Sequence, residues 1–375
     1  LLAGLVGVAI AATTTELASW AALSLLRRGP AGFLFYHRPS LTRPEYEAYL
    51  ANRDPELGWP APRELGGRRY DASGSRHVPA FPTPGDECVT LYGDSFTYST
   101  DVEHADAWGN VLATRLGCRV GNFGVGAYGT DQAVLRFEAN AADRAPVSIL
   151  GFFVRDVLRN VSRYLQLDFT NLPTGFKPRF VADGGALRLL PIPRIDPGAL
   201  DAFAAEPERF LDEETFLPDT RFGPVRVRPP FSVTLARLVA SDRVVALLRR
   251  RPNWSDFLVP GHPSGGYEVT LGIMTRFRDD CRARDKRCLV LLFPAPSSLR
   301  HRARTGRSVL YDLTEALTHD GIDYLDLEPG IARHLGSRSY EELLSGPNGH
   351  HNAEGDRVVA ALVHEELQRR GLPPR

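Results

Sequence analysis

An excess of charge of either sign is missing from this chain: 45 lysines and arginines face 45 aspartates and glutamates, a formal net charge of +0 at pH 7. Affinity for a polyanion comes from surplus positive charge, so the even balance argues against nucleic acid as a partner. Cysteine is scarce, four in 375 residues, and no spacing among them resembles a zinc site; no metal and no organic cofactor is expected. Internal repeats and low-complexity tracts are absent, which removes solenoids and disordered tails from consideration. What is plentiful is hydrophobic residues, 43% of the chain, enough for a large core.

One long apolar run is present, at the start. Leu1–Ala12 is uncharged and reads as the tail of a membrane helix, and a sequence opening without Met is expected to continue upstream. Two readings compete: an uncleaved anchor extending through Trp20 to Leu26, or a signal peptide cut near Ala9-Ile10-Ala11. Glu16 interrupts the run and favours a span that ends before it, with Leu17 to Leu26 at the interface; a buried N-terminal core helix is the plain alternative. Arg27 and Arg28 flank the run, which by the positive-inside rule points to a cytoplasmic body. The cysteines point outward instead, since Cys88 and Cys118 open two neighbouring strands and Cys281 and Cys288 flank a short turn. Two local disulfides would suit an oxidising compartment, and unpaired core thiols are the alternative.

Further along, strand and helix patterns alternate. Strands are expected at Cys88–Leu91, Arg119–Phe123, Val147–Phe153, Cys288–Phe293 and Ile322–Leu325, with helices at Ala107–Leu116, Thr130–Ala141, Tyr267–Arg282 and Ser308–His319. That order implies an α/β domain with a parallel sheet, helices on both faces and active residues at the carboxyl ends of the strands. The expected division is a membrane or signal helix over 1–27, an extension over 28–85 and the α/β domain over 86–375. Residues 165–260 break the alternation and read as an insertion beside the active site, with a hairpin at Phe180–Leu189 and a helical piece at Ser232–Leu248.

Three blocks carry chemistry. Leu91-Tyr92-Gly93-Asp94-Ser95-Phe96 puts Ser95 where a strand breaks into a turn, a usual way of aiming a hydroxyl at a base. Asn122 to Gln132 forms a glycine-rich loop with bare backbone N–H groups, and Thr130 reads as the cap of the helix that follows. Gly349-His350-His351-Asn352 supplies a base just ahead of an amphipathic helix.

In this order the blocks resemble the SGNH, or GDSL-type, hydrolase family, from about Asp54 to the end of the chain. Gly58-Trp59 and Lys177-Pro178-Arg179-Phe180 make the sequence similar to bacterial, membrane-anchored members. The resemblance implies a flavodoxin-like three-layer sandwich, Ser95 as nucleophile and His350 as base. It also implies an oxyanion hole from the N–H groups of Ser95 and Ala127, with Gly126 as the neighbouring alternative. Asp94 and Asn122 would support the serine loop, and His351 would be a rim or exposed residue. The sequence departs from the family pattern in three places: Ala127 stands where relatives usually keep the oxyanion-hole glycine, Arg155, after the expected strand Val147–Phe153, stands where the family's third block carries an Asn, leaving Asn160 as a second donor, and Asn348 stands where relatives often keep an Asp beside the histidine.

The chemistry so implied is ester hydrolysis through an acyl-serine, on a small ester or an O-acetylated glycan of the envelope or the extracellular space. The protein would be membrane-anchored or secreted, with its catalytic domain outside the cytoplasm. A glycan O-acetyltransferase uses the same acyl-serine, and a catalytically impaired glycan-binding protein is the reading from another class.

Overall fold

The computed structural model describes residues 1–60, 70–167, 175–346 and 349–373. Chain packing divides them into two units. One comprises Leu1–Ala48, Ser162–Gly175 and Pro193–Asn253; the other comprises Tyr49–Val161, Phe176–Ile192 and Trp254–Arg375. The insertion expected at 165–260 is thus divided: most of it joins the N-terminal segment, and the hairpin within it belongs to the second unit.

The second unit holds a short antiparallel pair, β1 (Arg53–Asp54) and β2 (Gly58–Pro60), followed by β3 (Val89–Tyr92), β4 (Val120–Asn122) and β5 (Val147–Phe153). The hairpin β6 (Arg179–Asp183) and β7 (Ala186–Leu190) comes next, then β8 (Arg287–Phe293) and β9 (Tyr324–Asp326). Five of these form one parallel sheet in the order β4-β3-β5-β8-β9. Every residue of β3 and β5 is buried, as strands covered on both faces must be, which is why they read as continuous apolar runs rather than alternating ones.

Helices in chain order are α1 (Leu2–Arg28), α2 (Arg43–Asn52), α3 (Ser95–Tyr98), α4 (Trp108–Leu116), α5 (Thr130–Ala139), α6 (Asp156–Asn160) and α7 (Leu200–Ala205). They continue with α8 (Phe231–Ala240), α9 (Asp242–Leu248), α10 (Gly266–Ala283), α11 (Pro296–Thr305), α12 (Tyr311–His319), α13 (Leu327–Leu335) and α14 (Ala353–Arg369). Right-handed crossovers sort them: the connection from β3 to β4 runs one way across the sheet and those from β4 onward run the other. Accordingly α4 packs with α14, while α5, α6 and α12 pack with α10. Strand order reverses at β3, so the loop after β3 lies at the topological switch point, where open α/β sheets bind ligands.

Both cysteine pairs are disulfides, Cys88–Cys118 just ahead of β3 and β4 and Cys281–Cys288 between α10 and β8, each with a Cα–Cα distance of 6.1 Å. Two local expectations change. Thr130 is the first helical residue of α5 and Gly129 is its cap, because Gln132 Oε1 and Asn160 Oδ1 already accept the N–H groups of Gly129 and Thr130 at 3.1 and 2.9 Å. The helical piece at Ser232–Leu248 is two helices, broken where Ser241 caps α9.

In the first unit, α1 does not stop at Glu16 but runs on to Arg28, 27 residues in all, and it is long and apolar enough to cross a membrane. Only Ser19 and Leu23 of it are buried, so it is not a core helix. Leu23 joins Leu34, Phe35, Val225 and Leu238 in the apolar cluster of this unit.

Candidate active site

Ser95 opens α3 at the carboxyl end of β3. Asp94 caps the helix, its Oδ1 accepting from Phe96 N at 2.8 Å and Thr97 N at 3.4 Å. The turn is tight enough to dictate its glycines: a Cβ on Gly93 would lie 2.0 Å from Thr97 Oγ1, and one on Gly124 would lie 2.6 Å from the backbone nitrogen of Tyr98. Asn122 ties the second block to the first, its Nδ2 donating to Thr97 O at 2.7 Å while its Oδ1 accepts from Gly124 N at 3.0 Å.

The N–H groups of Ser95, Gly126 and Ala127 make no hydrogen bond among the described residues, so each is free to meet an oxyanion. Ala127 holds a left-handed backbone at φ 65°. Its loop is pinned from the N-terminal side by Trp59, whose Nε1 donates to Gly126 O at 3.2 Å and whose ring meets Tyr128 edge-on. The neighbouring Gly58 comes so close to Phe176 that a Cβ would lie 2.6 Å from its carbonyl oxygen. Lys177, next in sequence, is fully buried; it pairs with Asp131 and donates to Arg159 O at 3.1 Å. The Gly-Trp and Lys-Pro-x-Phe segments therefore meet around the start of α5.

At the other side of the serine stands His350. Its ring lies against Phe96, centroids 5.1 Å apart, and Phe96 is the residue after Ser95. No hydrogen bond joins Ser95 Oγ to His350 among the described residues, a looseness usual for an unliganded site. His350 Nδ1 faces Asp101 Oδ1 at 3.2 Å, off the line of an ideal hydrogen bond, and His350 N donates to Asp101 Oδ2 at 3.1 Å. The Ser345 hydroxyl also donates to Asp101 Oδ2. Burial alone would raise the Asp101 carboxyl, but these donors and the His350 ring bring it below its usual value. Asn348, expected in this role, lies outside the described residues.

Two expectations are corrected. His351 is neither exposed nor on a rim: it is 2% exposed, its Nε2 2.8 Å from the Tyr340 hydroxyl, its ring against Phe96 and Phe293. Asn160 is spent elsewhere; its Oδ1 accepts the Thr130 N–H at the start of α5 and its Nδ2 donates to Thr270 Oγ1 at 3.1 Å and Thr130 Oγ1 at 3.4 Å, so neither amide hydrogen is left for an oxyanion. Arg155 sits between β5 and α6, at the carboxyl end of the sheet, the end that carries Ser95.

Sequence reasoning missed Asp101 and Arg159. The Arg159 Nη1 reaches Asp94 Oδ2 at 3.2 Å, Tyr128 O at 3.0 Å and Asp156 Oδ1 at 2.7 Å, joining the serine block, the glycine-rich loop and the segment after β5 at one guanidinium. Burial, and then the charge of Asp94, push the Asp156 carboxyl well up against the pull of Arg159. Two buried carboxylates flanking two blocks were the available signal that a cation had to join them.

Strand order makes this a flavodoxin-like, doubly wound α/β fold, with the serine at the switch point and the histidine loop ahead of the last helix. No protein-family model matches the chain, and no curated protein matches it by sequence. Solved structures similar to it include a lipolytic protein of the G-D-S-L family from Desulfitobacterium hafniense (13% identity, TM-score 0.33, covering 74% of this chain and 97% of that one). Others are the acetyl xylan esterase AlAXEase (10%, 0.36, 74% and 98%) and a two-domain esterase active on acetylated mannans (10%, 0.34, 76% and 49%).

Proposed function

We propose that the second unit is a serine esterase acting through an acyl-serine, on O-acetyl or similar small acyl esters of an envelope or extracellular glycan. The observation that carries the reading is Asp101 on the Nδ1 side of His350, which leaves Nε2 as the base for a serine one residue from the ring that His350 packs against. The two disulfides and the membrane-length helix α1 support a catalytic unit outside the cytoplasm.

In the first step His350 Nε2 takes the Ser95 hydroxyl proton as Oγ attacks the ester carbonyl. The oxyanion is received by the N–H groups of Ser95 and of Ala127 or Gly126, with the Arg155 side chain as a further donor. The C–O bond to the alcohol breaks and the alcohol leaves with the proton from His350. In the second step water gives His350 a proton and attacks the acyl carbon; the proton returns to Ser95 as the acid departs. Throughout, Asp101 holds the imidazole and stabilises its charged form.

A fluorophosphonate probe tests this. The natural chain should label at Ser95 and hydrolyse p-nitrophenyl acetate, and Ser95→Ala should do neither while keeping its melting temperature. Labelling that survives Ser95→Ala would sink the proposal. Adding a glycan hydroxyl acceptor separates hydrolysis from transfer.

A further inference from the structure

A carboxylate partway along a membrane-length helix demands partners, and Glu16 has them. It accepts from Phe231 N at 2.5 Å, from Ser232 N at 3.1 Å and from the Ser232 hydroxyl, so α1 itself caps the first turn of α8. From there α8 follows the second half of α1, with Leu238 and Leu23 in one apolar cluster. At the helical rise of about 1.5 Å per residue, Glu16 lies about 18 Å along the axis from Arg28. Any bilayer boundary drawn between those residues puts α8 within the depth of the interface.

The outward surface of these helices fits that depth. Leu247 and Leu248 on α9 are 51% and 76% exposed, Val239 on α8 is 57% exposed and Trp20 on α1 is 50% exposed. Arg249-Arg250-Arg251 follows Leu248 directly. Beside α8 a cavity of about 560 Å³ is lined by Arg221, Arg228 and Arg237 with Asp219. Arg221 and Arg228 have carboxylate partners at 2.7 and 2.9 Å, whereas Arg237 has no ion pair or hydrogen bond among the described residues. Exposed aliphatic side chains bordered by guanidinium groups make a surface for anionic lipid, in which the alkyl chains take the leucines and the headgroup phosphates take the arginines.

We infer that α8 and α9 form a membrane-docking surface, lying in the headgroup layer of a bilayer containing anionic phospholipid, with the Arg237 cavity receiving a lipid phosphate. The inference rests on reading α1 as a membrane helix. Its test uses the full chain reconstituted in vesicles of phosphatidylglycerol and phosphatidylethanolamine, with an environment-sensitive fluorophore at Leu248→Cys and, as a control, at Glu315→Cys on α12. The fluorophore at 248 should shift to the blue and be quenched by lipids carrying a shallow spin label, and the one at 315 should not. Arg237→Ala, which removes one charge, should lower the docking equilibrium constant about fivefold, and inorganic phosphate should not displace the fluorophore.

Vesicles that float with the protein while the fluorophore at 248 stays in water overturn the docking inference and leave the anchor intact. A chain that fails to float overturns both. Quenching that depends on protein concentration rather than on lipid would assign the face to a second copy of the chain, which also overturns it.

Discussion

Replacing Asp101 by Asn is the sharpest perturbation, because it keeps the shape and removes the charge. At the observed 3.2 Å between Asp101 Oδ1 and His350 Nδ1, unit charges interact by about 5 kcal/mol at an effective dielectric of about 20 and about 1.3 kcal/mol in bulk water. The two side chains are 31% and 26% exposed, so solvent screens part of the larger figure. In the proposed mechanism positive charge develops on His350 as the Ser95 proton moves, so the energy acts on the transition state and appears in kcat more than in KM. One decade per 1.36 kcal/mol brackets the loss between about tenfold and several thousandfold, and an intermediate value of about 10²–10³ is expected. The assay is p-nitrophenyl acetate turnover alongside the rate of fluorophosphonate labelling, with thermal melting to show that the histidine loop remains folded. A turnover within about threefold of the natural chain, with Tm unchanged, would refute the assignment of Asp101 as the residue that positions His350.

With Asp101 already at Nδ1, Asn348→Asp should change turnover less than about twofold, although the resemblance alone would lead one to expect a gain. Arg159→Met leaves Asp94 and Asp156 without their shared cation and should cost about 3–5 kcal/mol of stability in urea titration; an effect under 1 kcal/mol would show the network to be dispensable. Asn160→Ala removes the side-chain acceptor of the Thr130 N–H at the start of α5 and should cost about 1–2 kcal/mol, with the rate per folded molecule retained because its amide does not face the reaction. The folded Asp101 carboxyl lies below the free value of 3.8, so the stability it contributes is complete above that value and is lost as pH falls through the folded one. Tm for the natural chain and Asp101→Asn should differ at neutral pH and converge below about pH 4. The denatured, unreduced chain should show no free thiol to Ellman's reagent, since all four cysteines are paired; four titrating thiols would remove the argument for export.

The sheet was legible because its strands are short apolar runs at regular intervals, and each of the five observed strands overlaps an expected one. The hairpin was legible from Asp183-Gly184-Gly185, where both glycines adopt the positive φ that a two-residue turn requires. Asp101 was not legible, because its partner is 249 residues away and an acidic residue in a polar loop has no local signature. Nor was the partition of the insertion: composition marks where alternation fails, but only packing shows that Val225 and Leu238 share a cluster with Leu23 and Phe35. Asn160 misled for a physical reason, since a carboxamide suits an oxyanion hole and a helix cap equally well and the spacing of the third block does not distinguish them.

The placement of Asp101 changes how the site is held together. It lies in the segment that follows Ser95, so on the proposed mechanism nucleophile and orienting acid come from one stretch of chain, and the histidine loop contributes only the base. That loop is then fixed from outside itself, by Asp101 receiving the His350 backbone N–H and the Ser345 hydroxyl. An acid within the histidine loop would move with its histidine and keep the dyad intact while its distance to the serine varied. An acid on the serine side instead couples the imidazole to the nucleophile: any opening of the histidine loop breaks the Asp101 contact and withdraws the base in a single motion. On that reading docking of the loop and competence of the base are one equilibrium, to which the hydrogen bonds to Asp101 contribute beside the packing of His351 against Phe96 and Phe293.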